Sequence, residues 1–221
     1  MSFFFEVLIG GLLSGVMYSL VALGFVLIYK ASGVFNFAQG AMVFFAALTY
    51  VGLLEEGLSP WLAVPVTLVV MVVLGLLTER FVLRPLVNQP QITLFMATIG
   101  LAFFIEGLAQ ITWGANVRGL DLGLQDEPIT WVTDNTGMSV SRFDLVAAGV
   151  AAILVTVLAV FFNRTRIGRA LRAVADDHQA ALAVGIPLQQ IWAIVWGVAG
   201  AVALVAGTAA HGGSPISRSP T

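Results

Sequence analysis

The chain is a succession of long apolar runs broken by short polar segments. A helix needs about 20 mostly apolar residues to cross a bilayer. Six runs meet that requirement: residues 7–29, 34–54, 61–83, 92–113, 143–162 and 188–210. Helices buried inside a large soluble protein would need a polar outer layer, and the sequence has none to supply it. Helices also satisfy their own backbone hydrogen bonds, as a span in lipid must. The pattern therefore predicts an all-α, polytopic transmembrane bundle of about six spans. Residues 1–210 form the membrane domain and 211–221 a polar tail.

Composition agrees. Of 221 residues, 59% are hydrophobic and 10% charged, whereas a soluble domain averages about 25% charged residues. A fold of this length has too little polar surface to hide that apolar content from water. Met1-Ser2-Phe3-Phe4-Phe5-Glu6 carries no Lys or Arg, and the run behind it is too long for a signal peptide, so it reads as a retained first span. With no cysteine, a disulfide scaffold and thiolate metal sites are excluded. The net charge of −2 and the lack of a basic patch give no reason to expect nucleic acid.

Where the charges sit predicts orientation. Lys30 follows the first run, Arg80 and Arg84 close the third, and Arg164, Arg166, Arg169 and Arg172 follow the fifth. The alternate connections carry Glu55 and Glu56, then Asp121, Asp126, Glu127 and Asp134; only Arg118 and Arg142 oppose the trend. The basic ends are read as cytoplasmic and the N-terminus as extracytoplasmic. Trp61 and Trp113 fall at outer ends and Trp192 at an inner end, as interfacial anchors would.

The segment 163–187 is too short and too charged to span. Ile167, Leu171, Val174, Leu182 and Ile186 recur at roughly helical spacing, with His178 breaking the stripe. Asp176 or Asp177 can cap a second short helix, Gly185 can stop it, and Pro187 can open the next span. Two readings stand. The segment docks into a partner's groove, its apolar stripe giving affinity and its arginines steering, or it is a positive-inside loop lying on anionic lipid.

The stretch Thr165-Arg-Ile-Gly-Arg-Ala-Leu-Arg-Ala-Val-Ala, with Ala180-Ala181 and Gly185-Ile186, resembles the cytoplasmic coupling loop of bacterial ABC importer permeases for branched-chain amino acids. Gly33-Val-Phe-Asn-Phe-Ala-Gln-Gly40 is similar to the same family's Asn-Phe-Ala-His-Gly signature, with Gln39 in place of histidine. The resemblance runs from about Leu8 to Gly207. It implies a multi-pass permease subunit of a bacterial inner membrane, paired with a second permease, two cytoplasmic ATP-binding subunits and an extracytoplasmic solute-binding protein. Arg166, Gly168, Arg169, Arg172, Asp176, Ala180 and Gly185 would then form the ATPase-coupling loop. Nucleotide-driven closure of the partner would rock the spans in alternating access. The chain has no P-loop, so no cofactor is expected on it and ATP belongs to the partners. The family continues for further helices, whereas this chain ends in a Gly/Ser/Pro-rich tail that reads as disordered. A fragment, a frameshifted product and a degraded paralogue are all consistent with that end.

Polar residues within or beside the spans are the remaining candidates for a translocation path: Asn36, Gln39, Gly40 and Glu106. Intramembrane carboxylates are costly and are functional candidates by default. Glu106 either lines the path or makes a packing hydrogen bond, and Gln110 lies one turn further on its face. Asn36 either caps the second helix or marks a broken helix near the path, with Gly33 and Gly40 allowing close approach. Gly11 with Gly15, and Ala193, Gly197 and Ala201, read as helix-packing stripes. The segment 114–142, with Trp131 among acidic residues, either meets a binding protein or is a mobile hairpin.

The leading reading is a branched-chain amino acid importer permease. Alternatives are a urea or short-amide importer of the same family, a truncated non-transporting paralogue, and an ion-coupled carrier. A carrier would need several carboxylates within spans, and Glu106 alone reads as one. No nucleophile–base pair or metal cluster is legible, so an enzyme is not expected.

Overall fold

The computed structural model describes residues 2–33, 35–86, 89–114, 142–176, 181, 185 and 188–211. Every regular element among them is helical. In order these are α1 (Ser2–Ser32), α2 (Gln39–Glu55), α3 (Pro60–Leu77), α4 (Gln91–Trp113), α5 (Arg142–Arg164), α6 (Arg166–Asp176) and α7 (Leu188–His211). Each apolar run has become a helix, displaced by a few residues at most for five of the six. His211 closes α7; the rest of the polar tail, 212–221, lies outside the described residues, as does the segment 115–141 with Trp131.

The molecule is an apolar helix bundle of the kind that lives in lipid. Its outer surface carries large apolar side chains, with Trp61 90%, Phe103 70% and Ile153 67% exposed. Water would penalise such a surface, whereas hydrocarbon is its natural solvent. The stretches Val7–Lys30, Pro60–Leu86 and Ile92–Trp113 are each long and apolar enough to cross a membrane. Ala148–Arg164 together with Arg166–Val174 makes a fourth such stretch, bent by 80°. Gln39–Glu55 and Ile191–Ala206 are apolar but shorter. At 1.5 Å per residue, the 17 residues of α2 reach only about 25 Å.

Those two shorter stretches form the centre. α1, α2 and α3 all lean on α7, α4 packs on α2, and α5 packs on α1. Between spans there is little hydrophobic driving force, so close backbone approach has to supply the attraction. The tightest crossing is α3 on α7. A Cβ at Gly75 would lie 2.5 Å from the Trp196 carbonyl oxygen, and one at Gly200 would lie 2.5 Å from that of Met71. The two contacts are one turn apart on each helix and run in opposite order, so the helices are antiparallel. The sequence pointed to Ala193, Gly197 and Ala201, but the glycine at the closest approach is Gly200. Gly11 and Gly15 have nothing near their Cβ positions.

The third run does not stay α-helical. It widens into a π turn at Thr78–Leu83 and tightens into a 3-10 turn at Arg84–Leu86. Pro85 has no N–H to offer the carbonyl one turn back, and its ring crowds that position, so the helix ends there. Trp192, expected at the interface, is buried because α7 is the central helix.

Candidate functional site

Two features dominate the end of the bundle where α1, α3 and α5 finish and α7 begins. The first is an elbow between α5 and α6. The Thr165 hydroxyl donates to the Phe161 carbonyl at 2.7 Å and accepts the Gly168 N–H at 3.0 Å, so one side chain ties the end of α5 to the start of α6. A Cβ on Gly168 would overlap the Phe162 carbonyl, which explains a glycine at this bend. Gly168 is buried under the turn.

α6 is strongly two-faced. Leu171 and Val174 are buried and Ile167 partly so, packed toward α1, α5 and α7. Arg166, Arg169, Arg172 and Asp176 are exposed. Arg172 donates to the Asn163 side-chain oxygen at 2.7 Å, and the Arg169 guanidinium lies 3.5 Å from the Arg164 carbonyl. The expectation that the apolar stripe docks into a partner needs correction here. Residues 167, 171 and 174 of that stripe are spent on this chain's own bundle, and the face left outward is the basic one. Asp176 is the last residue of α6. Gly185 is an exposed turn at φ +81°, a conformation that favours glycine. Asp177, His178, Ala180, Leu182, Ile186 and Pro187 lie outside the described residues.

The second feature is the corner between α1 and α2, where Asn36 and Gln39 are both fully buried. Asn36 accepts the Ala38 N–H at 3.1 Å, and its amide donates to Gln39 Oε1 at 3.3 Å. Asn36 is therefore an Asx-type turn residue rather than the cap of α2, whose N-cap is Ala38 without a side-chain bond. The Gln39 amide nitrogen finds no acceptor among the described residues and abuts Gly24 of α1, where a Cβ would overlap it. Thr98 of α4 donates to the Phe35 carbonyl at 3.1 Å, pinning the corner from the other side. Phe37 meets Phe95 edge-on at 4.6 Å and Tyr29 meets Phe35 at 4.5 Å. Gly40 is exposed beside Gln39.

Glu106 is not brought to either feature. It is exposed on the outer side of α4, with Gln110 exposed one turn on. An open, almost wholly apolar groove of about 570 Å³ separates the end of α3 from α4, lined by Leu74, Phe81, Gly100 and Phe104 among others. None of the sequence-nominated residues lines it.

A further charged group escaped the sequence reading. Glu79, in the π turn, is 3% exposed and accepts from Arg84 Nε and Nη2, both at 3.3 Å. The π turn that carries Glu79 also packs on α7. The carboxylates inside spans are thus not limited to Glu106, but this one is already neutralised by its neighbour. Among the described residues no group of three or more His, Asp or Glu side chains is placed to hold a metal.

Known proteins place this architecture. High-affinity branched-chain amino acid transport system permease protein LivH of Escherichia coli K12 is 27% identical over 218 residues, covering 93% of this chain and 70% of that protein. The BraD permease protein of the corresponding Pseudomonas aeruginosa system is 25% identical, covering 92% of this chain and 69% of its own length. A probable LivH of Methanocaldococcus jannaschii is 30% identical over 207 residues, covering 91% and 64%. No solved structure matches the chain. The model of the family described as branched-chain amino acid transport system, permease component, matches residues 7–211, and the chain belongs to that family.

Proposed function

We propose that this chain is the membrane-spanning subunit of an ATP-driven importer whose cargo is a branched-chain amino acid. In this reading it crosses the membrane six times with its N-terminus outside. A second permease, two ATP-binding subunits and an extracytoplasmic binding protein complete the machine, and ATP is hydrolysed on the partners. The observation that carries the reading is α6. Its apolar face is fastened to α1, α5 and α7 while Arg166, Arg169 and Arg172 face outward. A partner that grips those arginines moves α6, and α6 cannot move without pulling the helices it is packed on. Uptake then proceeds by alternating access, with the Asn36–Gln39 corner and α7 among the parts that shift. An ion-coupled carrier is disfavoured, because the buried carboxylate of Glu79 already has its cation in Arg84.

Reversing charge with Arg169→Glu and Arg172→Glu tests this. The complex should still insert and hydrolyse ATP, and leucine uptake into vesicles should fall about tenfold or more, the loss of roughly 1.4 kcal/mol of coupling or greater. Uptake equal to that of the parent protein would remove α6 from the coupling role.

A further inference from the structure

α4 packs on α2 while α3 packs on α7, and the two consecutive spans are held apart. The gap between them is the open groove of about 570 Å³. Phe81 of the π turn and Phe104 of α4 line it, and both are exposed. Thr78 is the one polar side chain in the lining, and it is buried. A ligand that needs hydrogen bonds, such as a sugar or an amino acid zwitterion, would lose its water there and gain nothing in return. An apolar chain loses nothing.

Size and length narrow the occupant further. A methylene takes about the room of a water molecule, about 30 Å³, so the groove holds roughly 19 of them, one acyl chain of ordinary length. Along α4 the lining runs from Ala97 to Leu108, about 16 Å at 1.5 Å per residue. One leaflet contributes about 15 Å of hydrocarbon, half of the bilayer core. The charge at one end names the headgroup. Arg80 and Arg84 are the cations of the stretch 60–113, and both lie where α3 finishes. Arg84 is bound to Glu79. Arg80 is exposed, directly precedes Phe81 in the lining, and has no ion pair among the described residues. A guanidinium grips a phosphate with two parallel hydrogen bonds, and its long stem carries it from the span to the headgroup level.

We propose that the groove between α3 and α4 binds one acyl chain of an anionic phospholipid, whose headgroup phosphate is held by Arg80. The lipid belongs to the leaflet on the Arg80 side, the cytoplasmic one in the proposed orientation. It covers Phe81 and Phe104 and fills the space between two spans that lean on different neighbours. The lipid needs this chain alone, so the proposal does not rest on the importer reading.

Gly100 supplies the test. It lines the groove, and a Cβ there meets nothing within 4 Å, so Gly100→Leu fills the groove without pressing on a backbone. The chain is placed in phosphatidylcholine nanodiscs that carry a little phosphatidylglycerol with a diazirine on one acyl chain. After irradiation the labelled residues are located by mass spectrometry, and the run is repeated with the diazirine on phosphatidylcholine. Label should concentrate on 74–82 and 97–108, about fivefold higher from phosphatidylglycerol than from phosphatidylcholine. Ile153, exposed on α5, should take label from both lipids alike. Arg80→Gln should bring the two lipids within about twofold at the groove, and Gly100→Leu should cut groove labelling by either lipid about tenfold. Both variants should keep the parental circular dichroism. Phosphatidylglycerol label spread equally over the groove and Ile153 would overturn the site. Equal groove labelling by the two lipids, or a preference that survives Arg80→Gln, would overturn the headgroup assignment. In native membranes given the same probe, label at Ile153 with none in the groove would show a protein covering it and would overturn the lipid.

Discussion

The Glu79–Arg84 pair gives the sharpest energetic prediction. A carboxylate 3% exposed accepts two charge-assisted hydrogen bonds at 3.3 Å from a guanidinium whose side chain is 37% exposed. At that distance and an effective dielectric of about 20, the gross attraction is about 5 kcal/mol. Two effects reduce it. The carboxylate has lost its water, and the open part of the arginine is screened by solvent or headgroups. The net coupling is then about 1.5–3 kcal/mol, well above the roughly 0.2–1 kcal/mol of a fully open pair. Arg84→Ala alone should cost about 3 kcal/mol, because it strands a buried charge. Glu79→Gln should cost less, and the double variant should cost about 1.5–3 kcal/mol less than the sum of the singles. Equilibrium unfolding by sodium dodecyl sulfate in mixed micelles, read by tryptophan fluorescence, measures all four corners of the cycle. Additivity within about 0.5 kcal/mol would refute the argument and make the pair ornamental.

The glycines separate two kinds of packing. Gly75→Ala sets a methyl against the Trp196 backbone, and Gly200→Ala against the Met71 backbone; each should cost about 1–3 kcal/mol in the same unfolding assay, since the helices must part. Gly24→Ala meets only the flexible end of Gln39 and should cost less than either, so a Gly24 variant that is the worst of the three would contradict the crossing described. Gly168→Val, overlapping the Phe162 carbonyl, should open the elbow and cut uptake about tenfold at unchanged membrane levels; parental uptake would mean that the bend is not what positions α6. Glu106→Gln keeps a hydrogen-bonding group on the outer side of α4 and should hold uptake within about twofold of the parent, whereas a severe loss with normal folding would give the carboxylate a role as a charge.

Much of this fold was legible because membrane helices announce themselves by length. The fourth run, read as 92–113, is the helix Gln91–Trp113, and the sixth, read as 188–210, is Leu188–His211. What stayed hidden depends on irregular backbone or on distant partners. Glu79 and Arg84 are five residues apart, a spacing that points to different sides of an α-helix, and only the π turn turns them toward each other. Gly75 and Gly200 lie 125 residues apart in the chain, so no local pattern could pair them. The stripe of α6 was legible as a stripe, but amphipathicity does not say whose surface it covers; here residues 167, 171 and 174 pack on the same chain. Trp192 has the composition and position of an interfacial anchor, and it is buried because α7 happens to be central. Asn36 and Gln39 meet in one buried corner, since a short polar segment between two apolar helices has few places to go. The orphaned amide of Gln39 against Gly24 needed the packing of α1 to be seen.

The central claim is that this chain works as one subunit of an ATP-driven importer, and affinity purification from native membranes tests it most directly. The account predicts that a gently solubilised preparation carries an ATP-binding protein in stoichiometric amount. Recovery of the chain with no ATP-binding partner, under conditions where it remains folded, would contradict the account.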